Sequence, residues 1–262
     1  MSYGNPTPLY YWHLVTRLGE AQTVLPLALV AALVLLRRSE TRALAAWWMA
    51  LLSAAVLLTT ASKLAFIGWG LGWPEFNFTG ISGHAMFASA VYPLLLGTLL
   101  VGRGPRAAQP LAFAAGCALA LLIGVSRVEV GAHSVSEVVA GLLVGGLVSA
   151  TVLAMVRLPR VLIGPVIPVA VALFALLMPA HAPASASHAA VVRLSLLLSG
   201  RVMPYTRADM LRKVQPGQSV LCDPSRCLGS PSLAKASVVF TPVPADGLVW
   251  AGAAGLPAVR QR

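Results

Sequence analysis

The sequence predicts an all-α protein, a polytopic membrane helical bundle of about six spans with a small C-terminal tail. Three observations carry that expectation. Hydrophobic residues make up 58% of the 262 residues and charged residues only 10%, against roughly 45–50% apolar content in an ordinary soluble domain, and mean hydropathy is +0.81. The apolar residues gather into six segments, at about 21–36, 43–66, 85–102, 110–125, 138–156 and 161–179. The arginines gather between those segments.

Spanning a bilayer takes about 20 apolar residues, with a lower limit near 17. The first and fourth segments lie at the short end of that range. The last contains Pro165 and Pro168, which a membrane helix tolerates. The first run begins near Ala21 without a following cleavage site, so it reads as a span and not a signal peptide. With six spans, loops 37–42, 103–109 and 157–160 share one side and hold seven arginines. The positive-inside rule makes that side cytoplasmic. Both ends, the 63–84 loop and the 126–137 loop then lie outside. Tyr10, Tyr11, Trp12, Trp69 and Trp73 would form an outer aromatic belt, and Trp47 and Trp48 an inner one. The formal charge of +11 thus follows from topology, and no compact basic cluster points to nucleic acid. Cys117, inside an apolar run, reads as a small packed hydrophobe.

Polar groups concentrate on the outer side. Lys63 comes some 20 residues after the start of the second span, at about 1.5 Å per residue, and so reaches the outer face. Ser82, Gly83 and His84 open the third span there. Arg127 closes the fourth, and His133 and Glu137 open the fifth. Four apart, His133 and Glu137 share one helical face. A carboxylate accepting one ring N–H would leave the other nitrogen free as nucleophile or base. Arg127 offers a fork suited to phosphate, Lys63 a point charge, and the Ser82–Gly83–His84 helix start a hydroxyl, backbone N–H groups and a favourable dipole. Together they suggest phosphoryl transfer through a phosphohistidine. Taken singly, each has a plainer reading: a bracing ion pair, an interfacial anchor, a snorkelling lysine, a helix cap. Glu75 and Glu129 read as solvated loop charges. A metal site from His84, His133 and Glu137 lacks a ligand-spacing signature.

The stretch "SRVEVGAHSVSE" (126–137) fits S-R, five residues, H, three residues, D/E, and "SGH" (82–84) stands upstream. Both resemble motifs of the type 2 phosphatidic acid phosphatase family, membrane relatives of bacterial acid phosphatases and vanadium haloperoxidases, over about residues 43–160. The resemblance implies His133 as nucleophile, Glu137 as its orienting carboxylate and His84 as general acid. It implies Lys63, Arg127 and the Ser82–Gly83 backbone as the phosphate-binding groups, with no cofactor and no metal. The sequence departs from the pattern in three places. Glu137 stands for the usual Asp, and Ile81 for the proline before S-G-H. Gly70 and Leu71 follow Lys63 where an Arg-Pro pair is expected, and the loop carries no arginine.

Residues 1–180 are thus expected to form the membrane phosphatase-like domain and 181–262 a non-cytoplasmic tail or small module of unknown role. The partners implied are membrane lipids, with a lipid phosphate or diphosphate as substrate; the Ala- and Arg-rich composition points to a bacterial inner membrane with a periplasmic site. Two other readings stand beside hydrolysis: a non-catalytic protein binding a phosphorylated lipid on the same scaffold, and a lipid phosphotransferase. In the tail, "HAPASASHAA" reads as a linker with solvated His181 and His188. "VVRLSLLLSG" is too short to span, and Thr206 with Asp209 suits a helix cap. Cys222 and Cys227 fit either a short-loop disulfide or two free thiols. No catalytic constellation stands out in the tail.

Overall fold

The computed structural model describes residues 8–37, 39–99, 108–155 and 186–214. The chain divides into two compact units, Met1–Pro216 and Gly217–Arg262, and all the described residues belong to the first. The apolar segment at 161–179, the arginines at 38, 103, 106, 157 and 160, His181, and the pair Cys222 and Cys227 lie outside the described residues.

The described elements are α1 (Pro8–Arg17), α2 (Ala21–Leu36), α3 (Arg42–Trp69), α4 (Gly83–Leu99), α5 (Ala108–Glu129), α6 (Val135–Met155), α7 (Ala186–Ser199) and α8 (Arg207–Val214). Among the described residues there is no strand, only an isolated bridge between Trp73 and Phe78. Four stretches are long and apolar enough to cross a membrane: Leu9–Leu36, Ser39–Trp69, Ala108–Glu129 and Val135–Met155. The apolar parts of α4 and α7 are shorter. Leu57, Leu121, Leu143 and Leu147 stand exposed on the outside of the bundle, as a lipid-facing surface requires.

The first span starts earlier than hydropathy suggests. Its helical path begins at Pro8 and breaks at an elbow, where the N–H groups of Leu18, Gly19 and Glu20 donate to the carbonyls of Val15, Thr16 and Arg17 at 3.0–3.1 Å. His13, Arg17 and Glu20 dilute the apolar signal there, yet Arg17 is buried and α1 packs on α5.

Helix α4 is the centre of the bundle, clasped between α5 and α6. Hydrocarbon supplies no hydrophobic force between helices, so close approach and hydrogen bonding must hold them. Gly141 and Gly145, one turn apart on α6, provide the approach. A Cβ at Gly145 would stand 2.1 Å from the Met86 carbonyl oxygen, and one at Gly141 2.5 Å from that of Ser82. Pro93 on α4 has no N–H for the Ser89 carbonyl one turn back, and the Ser149 hydroxyl of α6 donates to that carbonyl instead, at 2.7 Å.

Trp48 corrects an expectation. It is not an interfacial anchor: only 2% of it is exposed, and its indole N–H donates to the Ala90 carbonyl at 3.0 Å. A tryptophan next to another near a span end looks amphipathic in sequence, but the helix turns the two about 100° apart, leaving Trp47 outside and Trp48 against α4.

A second, smaller core docks residues 186–214 on the end of α3. Phe66, Ile67, Tyr205 and Met210 are buried together, with Val191 and Val192 packed on them. The Phe66 and Tyr205 rings meet edge to face at 5.4 Å. The Ser195 hydroxyl donates to the Leu64 carbonyl at 3.1 Å, and the Tyr205 N–H to that of Ile67 at 2.9 Å. Thr206 and Asp209 cap α8 reciprocally, Thr206 N–H to Asp209 Oδ2 at 2.9 Å and Asp209 N–H to Thr206 Oγ1 at 3.3 Å. That is the arrangement the sequence suggests.

The clasp can be tested with adjacent glycines. Gly145→Val should cost at least about 3 kcal/mol by overpacking α4. At Gly146 a Cβ meets nothing within 4 Å, so Gly146→Val should stay within about 0.5 kcal/mol. Thermal unfolding of the two variants in detergent is the check, and equal melting temperatures would refute the clasp.

Candidate active site

The start of α6 is a capping box written in the sequence as Ser134-Val135-Ser136-Glu137. The Glu137 N–H donates to Ser134 Oγ at 3.4 Å, and the Ser134 N–H to Glu137 Oε2 at 3.1 Å, two otherwise orphaned helix-end donors satisfied reciprocally. His133 therefore lies in the turn before α6 and not on its face, which corrects the same-face expectation. The contact forms all the same, because the carboxylate folds back over the capping turn: His133 Nδ1 lies 2.7 Å from Glu137 Oε2. The turn is itself pinned. Ala132 and His133 both donate their N–H groups to the Arg127 carbonyl at 3.1 Å, with Gly131 in the left-handed region at φ 68°. The last turn of α5 and the short turn after it thus carry Arg127 and His133.

Glu137 is fully buried and its two oxygens have partners from three directions. Thr79, in the connection from α3 to α4, donates its N–H to Oε1 at 2.7 Å and its hydroxyl to the same oxygen. Arg207 donates from α8, with Nη2 at 2.8 Å from Oε1 and 2.9 Å from Oε2. The α3–α4 connection can deliver Thr79 because Gly70, at φ 70°, ends α3 with N–H bonds of Gly70 to Phe66 and Leu71 to Ala65, the left-handed helix stop that glycine favours. Ser136 Oγ then holds the Phe76 carbonyl at 2.7 Å.

Lys63, His84, Arg127 and His133 line one cavity of about 520 Å³ at this end of the bundle, together with Tyr205 and Arg207. Gly83 sits behind it, its missing Cβ 3.8 Å from Lys63 Nζ. Arg127 is steadied by Nη1 donating to Thr16 Oγ1 of α1 at 2.8 Å, while its Nε and the Ser82 hydroxyl are buried with no hydrogen-bond partner among the described residues. The Ser82 N–H is already committed to the Glu137 carbonyl at 3.1 Å. Of the helix-start donors expected to face a phosphate, it is the one not free to do so.

The sequence-predicted groups Lys63, His84, Arg127, His133 and Glu137 are therefore brought together, with Ser82 and Gly83 at the adjoining helix start. Thr16, Thr79 and Arg207 were not foreseen. Thr79 and Thr16 are ordinary loop and helix-end threonines in sequence. The Thr206–Asp209 cap does signal a helix at 207, but nothing in the sequence aims its first side chain at Glu137. His188 is exposed, as expected, though it stands at the cavity wall. Among the described residues no group of three or more His, Cys, Asp or Glu side chains is gathered as a metal ion would need.

Burial lowers the His133 imidazole below its ordinary value of 6.5; the hydrogen bond and charge of Glu137 pull it back up, and Lys63 and Arg127 push it down. The ring therefore stays neutral to a lower pH than a free histidine. Folding loses the corresponding stability as pH falls below 6.5, where the unfolded chain takes up the proton first. Replacing the carboxylate by the isosteric amide in Glu137→Gln removes the upward pull, so the His133 titration followed by NMR should move to lower pH. A move to higher pH would show that the two side chains do not interact in this way.

Residues 58–160 match the family model of the PAP2 superfamily. An uncharacterized 22.5 kDa protein in the cps region of Klebsiella pneumoniae is 41% identical over 139 residues, 53% of this chain, and the chain spans 66% of that relative's length. Among solved structures, a transmembrane PAP2-type phosphatidylglycerolphosphate phosphatase from Bacillus subtilis is similar at 24% identity and a TM-score of 0.47, over 58% of this chain and 78% of that one. The matched segment runs from before Lys63 to beyond Glu137, so all the residues gathered around the cavity from α3 to α6 fall inside it. Residues 58–160 are thus the part of the chain that matches the PAP2 superfamily, and the candidate site from α3 to α6 is built from them.

Proposed function

We propose that this protein is an integral-membrane phosphatase that hydrolyses a lipid phosphate or diphosphate through a phosphohistidine. The observation that carries the reading is the His133–Glu137 pair opening onto the same cavity as Lys63, His84 and Arg127. With Nδ1 held by the carboxylate, Nε2 is the nitrogen left with a free lone pair. In the first step Nε2 attacks phosphorus, the bond from phosphorus to the ester oxygen breaks, and His84 gives its proton to the leaving oxygen. In the second, water attacks the phosphohistidine, His84 takes the proton, the N–P bond breaks and inorganic phosphate leaves. Lys63 and Arg127 bind the charged oxygens, and Arg127 Nε and the Ser82 hydroxyl, buried without partners, are donors suited to them.

The lipid part of the reading is supported by a second cavity of about 220 Å³ that shares Lys63 and His84 with the first. It continues between Leu25, Val56 and Phe87, with Glu20, Gln22, Thr59 and Thr60 also on its wall, a partly apolar path suited to a hydrocarbon chain whose headgroup reaches the cations. The arginine-bearing ends of α2 and α3, at Arg37 and Arg42, are at the opposite end of α3 from Lys63. By the positive-inside rule we infer a cytoplasmic location for those arginines and a periplasmic one for the site, in a bacterial inner membrane.

Phosphate release from phosphatidic acid and from an isoprenoid diphosphate, measured in detergent without added metal, tests the reading. The wild type should release phosphate, and His133→Ala should lower the rate by at least about 10³-fold. Release of equal size in the variant, or none from folded wild type across both substrates, overturns it. Arg127→Lys keeps a charge but loses the fork, and should reduce kcat/KM by about 10²-fold.

A further inference from the structure

The side chain that closes the Glu137 site comes from outside the matched segment. Between Lys63 and Ser82 the chain has Glu75 as its single charged residue, so the connection that covers the carboxylate contributes no cation. Arg207, at the first position of α8, reaches that same connection: Nη1 donates to the Asn77 carbonyl and Nη2 to Thr79 Oγ1, each at 3.3 Å. From there Nη2 faces both oxygens of Glu137. The segment is set for this. Tyr205, two residues earlier, is buried against Phe66 with its N–H on the Ile67 carbonyl, and the Thr206–Asp209 cap fixes the helix start.

We propose that Arg207 is a positioning residue of the proposed phosphatase, acting through Glu137 on His133, and that residues 200–214 are a working part of the site. Glu137 is fully buried, and a buried carboxylate needs its hydrogen bonds and charge matched. Thr79, Ser134 and His133 supply neutral donors, whereas Arg207 supplies a full positive charge and links both oxygens. It thereby holds Oε2 under His133 Nδ1 and offsets the negative charge that His133 feels. The charged and titratable groups around that imidazole and its cavity are Lys63 on α3, His84 on α4, Arg127 on α5, Glu137 on α6, His188 on α7, Tyr205 just before α8 and Arg207 at its start. Removing the positive charge of Arg207 leaves Glu137 uncompensated, which favours the imidazolium.

The test uses the full chain in detergent micelles with its histidines isotope-labelled, the His133 signal being identified by its loss in His133→Asn. In Arg207→Gln the His133 titration should move to higher pH, opposite to the move in Glu137→Gln. Arg207→Lys should keep the titration near that of the wild type. An unchanged His133 titration in folded Arg207→Gln, judged by an unaltered elution profile, overturns the inference, whether or not the protein hydrolyses anything. The inference rests on the phosphatase reading only for its kinetic consequence: kcat should fall on the order of 10- to 100-fold in Arg207→Gln with KM nearly unchanged, as for a misaligned reacting group, and recover in part in Arg207→Lys. Absence of His133-dependent release in the wild type would sink the phosphatase reading and leave the titration result standing. If Arg207→Gln does not fold, Arg207→Lys decides: the retained charge should keep its His133 titration near that of the wild type, and a clear move of that titration in folded Arg207→Lys refutes the inference.

Discussion

The structure around the cavity depends on one buried carboxylate. Stripping Glu137 of water would cost several kcal/mol if its oxygens went unpaired, so the fold has to bring donors to it. They arrive from the α3–α4 connection, from the turn before α6 and from α8. Each of those segments also carries, or lies beside, a group that opens on the cavity. Satisfying the carboxylate and assembling the site are therefore one event: the bonds that make Glu137 tolerable also fix the Nδ1 side of His133 and seat the Thr79–Gly80 strip over Lys63, while the backbone carbonyl of the same residue holds the Ser82 helix start against α6.

The central position of α4 follows from the same economy of contact. Lipid does not reward burial of leucine against leucine, so specificity falls to a few close approaches and hydroxyl bonds. Gly141 sits on Ser82 and Gly145 on Met86, which sets the depth of α6 against α4 and, with it, the height of Glu137 relative to the helix start at Gly83. The Ser149 hydroxyl adds a bond to the Ser89 carbonyl, which Pro93 leaves without its helical donor.

Much of this was legible from sequence because it is local or periodic. Apolar runs mark α3, α5 and α6; the Thr206–Asp209 spacing marks a helix start; the charged residues of 126–137 are conspicuous in an oily chain, although reading them as one helical face passes over the Ser134–Glu137 cap that leaves His133 in the turn before α6. Trp48 was misread because a lone position near a span end does not reveal which way its helix is rotated in the bundle. The early start at α1 was hidden because His13, Arg17 and Glu20 dilute the apolar signal, and the burial of Arg17 follows only from the packing of α1 on α5. Arg207 was illegible for a different reason: its partner is 70 residues away, and no spacing rule connects two side chains that meet only through the packing of Tyr205 on α3.

That separation has a consequence for how the molecule is made. Ribosomes add residues in order, at about 5–20 per second, so roughly 4–14 s pass between synthesis of Glu137 and synthesis of the arginine 70 residues later. During that interval α2 to α6 can already be seated in the bilayer with the carboxylate held by threonine, serine and histidine donors alone. Arg207 reaches it after α2 to α6 have been made, so the nascent chain carries those apolar helices well before the candidate site is complete.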